Sequence, residues 1–174
     1  MIELERTFLA KSLPSDLHTH PNKRIVDLYV DNGTPHRDLR IRQLGDRCEI
    51  TRKRPTHGTD SSKQEEQTIA LEKIEFDSLA HTRGPKIEKT RYYYPYGDIT
   101  AEFDIFEGAL TGLVLIDFEF DSEEAMRTFS PPEFCLADVS QEAFVAGGVL
   151  AGKSYADLEG ALKEYRYQKL SFLR

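Results

Sequence analysis

Glu3 and Glu5, Arg40 and Arg42, Lys89 and Arg91, Glu102 and Asp104, and Asp117 and Glu119 are like-charged pairs spaced two residues apart. On a β-strand that spacing sets both members of a pair on one face, where like charges repel. Lys53, sharing its face with Thr51, adds a further cation. Repetition of this pattern along one chain calls for partners, and acidic strands facing basic strands across a lumen would supply them. Such a lumen can hold a cation on its carboxylates and a polyanion on its guanidinium and ammonium groups. For any single pair, a solvated face of an open sheet is the ordinary arrangement. The common phase of all the pairs, opposite the apolar residues, favours the enclosed lumen.

The elements that must position these residues show period-2 alternation. In the first segment Ile2, Leu4 and Phe8 share one face, and Glu3, Glu5 and Thr7 share the other. Strand-like runs follow at residues 24–30, 37–44, 47–54, 63–70, 87–94, 99–106 and 113–120. Asp31-Asn32-Gly33, Gly45-Asp46, Tyr96-Gly97-Asp98 and Glu107-Gly108 mark turns between them. With the first segment this makes eight strands, enough to close a barrel. Helices are expected over residues 72–81, 122–129, 141–150 and 155–168, outside the barrel. The polar stretch at residues 56–67 is expected to be the most mobile loop. The fold class is therefore α+β, an eight-stranded antiparallel barrel or tunnel with helices packed outside.

The 174 residues fit a single domain. A net charge of -7 and an isoelectric point near 5.3 argue against nucleic acid as a partner. Cys48 and Cys135 fit no metal spacing and favour a reducing compartment. No apolar run approaches the roughly 20 residues of a membrane span, and the N-terminus is charged from its third residue. The expectation is a cytoplasmic protein with no membrane partner.

The order of these motifs resembles the CYTH superfamily, the triphosphate tunnel metalloenzymes. The resemblance runs from E-x-E (Glu3, Glu5) through R-x-R (Arg40, Arg42) and T-x-K (Thr51, Lys53) to K-x-R-Y (Lys89, Arg91, Tyr92). It continues with E-x-D-x-F-x-G (Glu102, Asp104, Phe106, Gly108), then Gly112-Leu113 with Asp117 and Glu119, and ends on Asp138-Val139-Ser140 and Leu150-Ala151. It covers nearly the whole chain. It implies a metal-dependent triphosphatase acting on a small triphosphate or nucleotide, inorganic triphosphate above all, with a homodimer left open. Glu3, Glu5, Asp117 and Glu119 would hold Mg²⁺ or Mn²⁺. Arg40, Arg42, Lys53, Lys89 and Arg91 would bind phosphates, and Glu102, Asp104 and Lys53 would serve the chemistry. Glu66 is a further acid whose phase is ambiguous against Glu65. The alternatives are a non-catalytic polyphosphate-binding or nucleotide-binding module and a class IV adenylyl cyclase-like activity.

One departure bears on catalysis. The family motif is E-x-E-x-K, and Thr7 stands where the inward lysine belongs. Arg6 lies on the opposite face, with Leu4 and Phe8. Lys11 has the right parity but sits four residues further on.

Other signals are weaker. The run from Gly147 to Ser154 matches G-x-x-x-x-G-K-[ST], but no parallel strand follows it, so a glycine-interrupted helix and turn outside the barrel is expected. His18 and His20 lack a third ligand and read as a surface turn. Of Tyr92, Tyr93 and Tyr94, Tyr93 alone joins the face of Lys89 and Arg91. Cys48 reads as a buried hydrophobe.

Overall fold

The alternating stretches fold into strands that close on themselves, as seen in a computed structural model describing residues 2–56, 60–81 and 84–172. β1 (Ile2–Ala10), β2 (Asn22–Tyr29), β3 (Leu39–Leu44), β4 (Arg47–Pro55), β5 (Lys63–Leu71), β6 (Lys86–Tyr96), β7 (Ile99–Phe106) and β8 (Val114–Glu119) are ordered β5-β4-β3-β2-β6-β7-β8-β1. All neighbours are antiparallel. Pairing of β1 with β5, Ile2 opposite Glu65 and Leu4 opposite Lys63, completes the ring. Beyond Leu4 the same edge of β1 turns to β9 (Cys135–Asp138), with Phe8 opposite Asp138. β9 is four residues long, too short for alternation to reveal it in the sequence.

The apolar sides of β1, β6, β7 and β8 face outward, and the core lies there. Phe8, Phe103, Ile116 and Phe118 form one buried cluster, covered by Phe129 and Phe134. A second cluster stoppers part of one barrel end, joining Tyr29, Ile87, Phe106 and Leu115 to Val139, Val145, Leu150, Leu158 and Leu162. Burial of an aliphatic or aromatic side chain contributes roughly 1.5–3 kcal/mol, so these outer clusters hold a barrel whose interior is polar.

α1 (Lys73–Ala80) opens on a capping box of Glu72 and Glu75 and buries Phe76 against Ile41 and Cys48. α2 (Glu123–Thr128) is capped by the Ser122 hydroxyl, which accepts from the Ala125 amide at 3.1 Å. The helix expected over residues 141–150 is broken into a 3-10 turn, Ala143–Val145, and α3 (Gly147–Leu150). Long-range contact overrides the local pattern here. A Cβ on Gly147 would lie 2.2 Å from the Tyr29 hydroxyl oxygen, and one on Gly148 would lie 1.9 Å from the Arg37 carbonyl oxygen. The helix expected over 155–168 is shorter, α4 (Tyr155–Glu164), because Arg166 turns left-handed at φ 56. Tyr167 then points back inward, donating its hydroxyl to Gly112 O and accepting from Val114 N.

Three further expectations resolve in the same terms. Residues 63–67 of the presumed mobile loop belong to β5, held between β4 and β1; residues 57–59 lie outside the described residues. The phosphate-loop look-alike has a 3-10 turn before it rather than a strand, and Ser154 caps α4 through Asp157. The His20 ring packs at 4.8 Å from Tyr94, and its Nε2 faces Asp16 at 3.5 Å.

Candidate active site

Glu3, Glu5, Arg40, Arg42, Lys53, Lys89, Arg91, Glu102, Asp104, Asp117 and Glu119 all line one cavity of about 350 Å³ inside the barrel. Antiparallel register explains the convergence. Glu5 lies opposite Glu119 and Thr7 opposite Asp117 across β1 and β8. Asp117 lies opposite Glu102 on β7, and Asp104 opposite Arg91 on β6. β1, β7 and β8 thus form a mainly acidic wall, and β3, β4 and β6 a mainly basic one.

Carboxylate oxygens of Glu3, Glu5 and Glu119 lie within 4.8 Å of one another. Lys53 Nζ approaches Glu3 Oε2 at 2.6 Å and Glu5 Oε1 at 3.4 Å. Burial raises the Glu5 carboxyl while Lys53 and Arg91 pull it back, and the net displacement is downward. Glu119 is pushed up to about 7 by burial and by Glu102, Glu3 and Glu5. A carboxylate cluster with one ammonium for its counter-charge, built of hard oxygen donors, suits a divalent cation. The donor chemistry therefore fits the metal the resemblance implies. Asp117 is held elsewhere: its Oδ1 accepts from Thr7 Oγ1 at 2.7 Å and its Oδ2 from Arg91 at 2.9 Å. Burial and the adjacent Glu5 raise its carboxyl to about 7.

Arg91 organises the centre of the lumen. It makes two bonds of 2.7 Å to Asp104, reaches Asp117, and pairs with Glu102. Lys89 pairs with Asp104 as well. Both Asp104 oxygens thereby accept from cations at 1% exposure, so this carboxylate holds Lys89 and Arg91 in place. Glu102 is engaged through Oε2 among the described residues, and burial raises its carboxyl.

β2 supplies residues that the sequence reading missed. Asp27 and Tyr29 face inward, and Asp27 takes Arg42 Nε and Nη2 at 2.6 and 2.8 Å. Glu49 on β4 also lines the cavity, accepting from Arg47 at 2.8 Å. The signal used was a like-charged pair, and β2 presents one charge between Ile25 and Tyr29. Parity alone could have found Asp27. Glu66, opposite Lys53, is the inward member of its pair, and Glu65 is exposed. Lys11 leaves the strand after Ala10, is exposed, and does not line the cavity. Arg6 is on the outside, bound to Asp138 and to the carbonyls of Met126 and Phe129.

The Glu119 displacement has a measurable consequence. A metal held on Glu119 would compete with the proton on a carboxyl raised to about 7. Mn²⁺ affinity is expected to rise by up to about tenfold per pH unit below pH 7 and to level off above pH 8. Calorimetric titrations at pH 6, 7 and 8 check this; a flat profile contradicts it.

An eight-stranded barrel with clustered glutamates facing a basic wall defines a class, and a CYTH domain model matches residues 1–128. The chain belongs to the CYTH domain family. It is 33% identical over 146 residues to an inorganic triphosphatase of Nitrosomonas europaea, covering 82% of this chain and 91% of the relative. The crystal structure of an inorganic triphosphatase superposes with a TM-score of 0.62 at 28% identity, covering 86% of this chain and 93% of the other. A conserved hypothetical protein of Pyrococcus furiosus shares the fold at a TM-score of 0.52 and 20% identity, over 72% of this chain and 82% of its own.

Proposed function

We propose that this protein is a metal-dependent triphosphatase that hydrolyses a terminal phosphoanhydride of inorganic triphosphate. The observation that carries the reading is one lumen with Glu3, Glu5 and Glu119 clustered against a wall bearing Arg40, Lys53, Lys89 and Arg91. Kinship with inorganic triphosphatases supports it. Mg²⁺ or Mn²⁺ on the three glutamates would neutralise phosphate charge and acidify bound water.

The chain's own residues do the rest. Arg40, Lys53 and Lys89 bind and orient the phosphates and oppose the charge that develops as the bridging oxygen leaves, while Arg91, whose Nε and Nη2 are engaged by Asp104, adds its charge to the wall. The Arg40 Nε is buried without a hydrogen bond among the described residues, a donor that an anion would satisfy. Glu102, with one oxygen on Arg91, orients the attacking water with the other. Asp104 and Asp117 keep Arg91 extended into the lumen. Of the aromatic side chains lining the cavity, Tyr29 and Phe106 are packed into the apolar cluster at one end and Tyr93 stands apart from it, a poor platform for a base or a thiazolium, which favours the inorganic substrate.

Phosphate release from triphosphate, pyrophosphate, ATP and thiamine triphosphate, with Mg²⁺, Mn²⁺ or EDTA, tests the reading. Triphosphate turnover abolished by EDTA is the expected result. The hydrogen bond from Thr7 to Asp117, where the family motif places a lysine, favours a second reading, a binding module. Triphosphate binding without turnover under any condition would establish that one instead. Glu5→Gln is expected to weaken Mn²⁺ binding about tenfold or more with an unchanged far-ultraviolet spectrum, since an amide oxygen is a poorer ligand than a carboxylate. Unchanged affinity would remove Glu5 from the metal site.

A further inference from the structure

We propose that Asp27 is a positioning residue that withholds Arg42 from the phosphate-binding wall and leaves Arg40 as the guanidinium that grips the anion. The identity of that anion rests on the triphosphatase reading; the geometry does not.

Asp27 lies on the inward face of β2 at 2% exposure, directly opposite Arg42 on β3. The two bonds of 2.6 and 2.8 Å engage Arg42 Nε and Nη2 together. That is the edge a guanidinium presents to a phosphate in bidentate recognition. With it taken, Arg42 keeps only the Nη1 side of its guanidinium for an anion and cannot offer this side-on fork. Arg40, two residues along the same face, is placed differently. Its Nε stands 3.8 Å from Asp27 Oδ1, within reach of attraction but too far for a hydrogen bond, and it is buried without an acceptor among the described residues. Arg42 and Arg40 hold the Asp27 carboxyl at about 2, so it stays ionised at any working pH.

Two adjacent buried arginines would otherwise bind substrate and product with equal force. Such uniform binding lowers KM without lowering the barrier, and it delays release of pyrophosphate. Asp27 divides the pair into one buttress and one donor. It does so by charge as well as by shape, which separates this role from simple packing.

The test is pyrophosphate binding by calorimetry in Mg²⁺, together with triphosphate kinetics. Asp27→Asn frees Arg42 and is expected to tighten pyrophosphate about tenfold, the worth of one charge-assisted contact. KM and kcat should both fall. A merely structural Asp27 would instead give weaker binding and a raised KM, and either weaker or unchanged pyrophosphate binding in a folded Asp27→Asn overturns the proposal. The double variant Asp27→Asn/Arg42→Met removes the pair together, which is milder than stranding one buried charge, and so provides a measurement if the single variant does not fold. It is expected to stay within about twofold of wild type, while Arg40→Met loses about tenfold. If the double variant loses as much as Arg40→Met, Arg42 is itself a phosphate ligand and the proposal fails. Wild-type turnover, assayed alongside, reports on the triphosphatase reading separately, because none of the binding comparisons needs hydrolysis.

Discussion

Arg91→Met is expected to cost about 3–5 kcal/mol of stability above pH 7, and less at pH 4.5. Arg91 is the shared partner of Glu102, Asp104 and Asp117, and its own side chain is 12% exposed. Methionine keeps much of the volume and removes the charge, so the loss should be electrostatic. The sign follows from the carboxyls. Arg91 and Lys89 hold Asp104 well below the usual carboxylate range, so its contribution is present above about pH 4 and lost as pH falls through the folded value. Asp117 titrates near 7 with Arg91 beside it, and without that guanidinium its carboxyl rises further, so above pH 7 the variant must either take up a proton there or carry a second uncompensated charge. The deficit should therefore grow above pH 7, be smaller at pH 4.5, where Asp117 is protonated and Asp104 still ionised, and shrink again only at lower pH as Asp104 protonates. Urea denaturation at pH 8 and pH 4.5 measures it. An equal deficit at both would identify lost packing as the cause.

Thr7→Lys is expected to raise kcat for triphosphate by about 10²-fold while changing KM less. Thr7 faces the lumen one register step from the Glu5 and Glu119 pair, and its hydroxyl is spent on Asp117. A hydroxyl there can orient Asp117 but carries no charge to meet the phosphoryl group in its transition state. Lys11 is exposed outside the cavity and does not supply that charge. A lysine at position 7 would add it in the enclosed part of the lumen and would draw the Asp117 carboxyl down from about 7. An effect on kcat with little on KM marks an interaction made chiefly in the transition state. Steady-state kinetics on wild type and Thr7→Lys decide the matter. If kcat is unchanged while Asp117 still titrates lower, the new ammonium is neutralised by Asp117 and the missing lysine is not what limits turnover.

The inward set was legible in the sequence because strand parity is local. A strand places every second side chain on one face, so like-charged pairs opposite Leu4, Phe8, Phe103 and Phe118 had to share the lumen once the barrel closed. The eight barrel strands and the outward direction of Arg6 follow from the same rule. Parity assigns a face; it does not assign a partner or a distance. Whether Asp104 meets water or two cations depends on the registers of β6, β7 and β8, and whether Arg42 meets phosphate or Asp27 depends on that of β2 and β3. These are long-range outcomes of closure, as is the split of the basic wall into buttress and donor. The same holds for residues 141–150, whose local pattern reads as one helix. Arg37 donates to the Gly148 carbonyl across 111 residues of chain, and the contacts of Gly147 with Tyr29 and Gly148 with Arg37 leave no room for a Cβ. A helical period records what neighbours in sequence prefer, and here neighbours in space, packed at that end of the barrel, determine the shape.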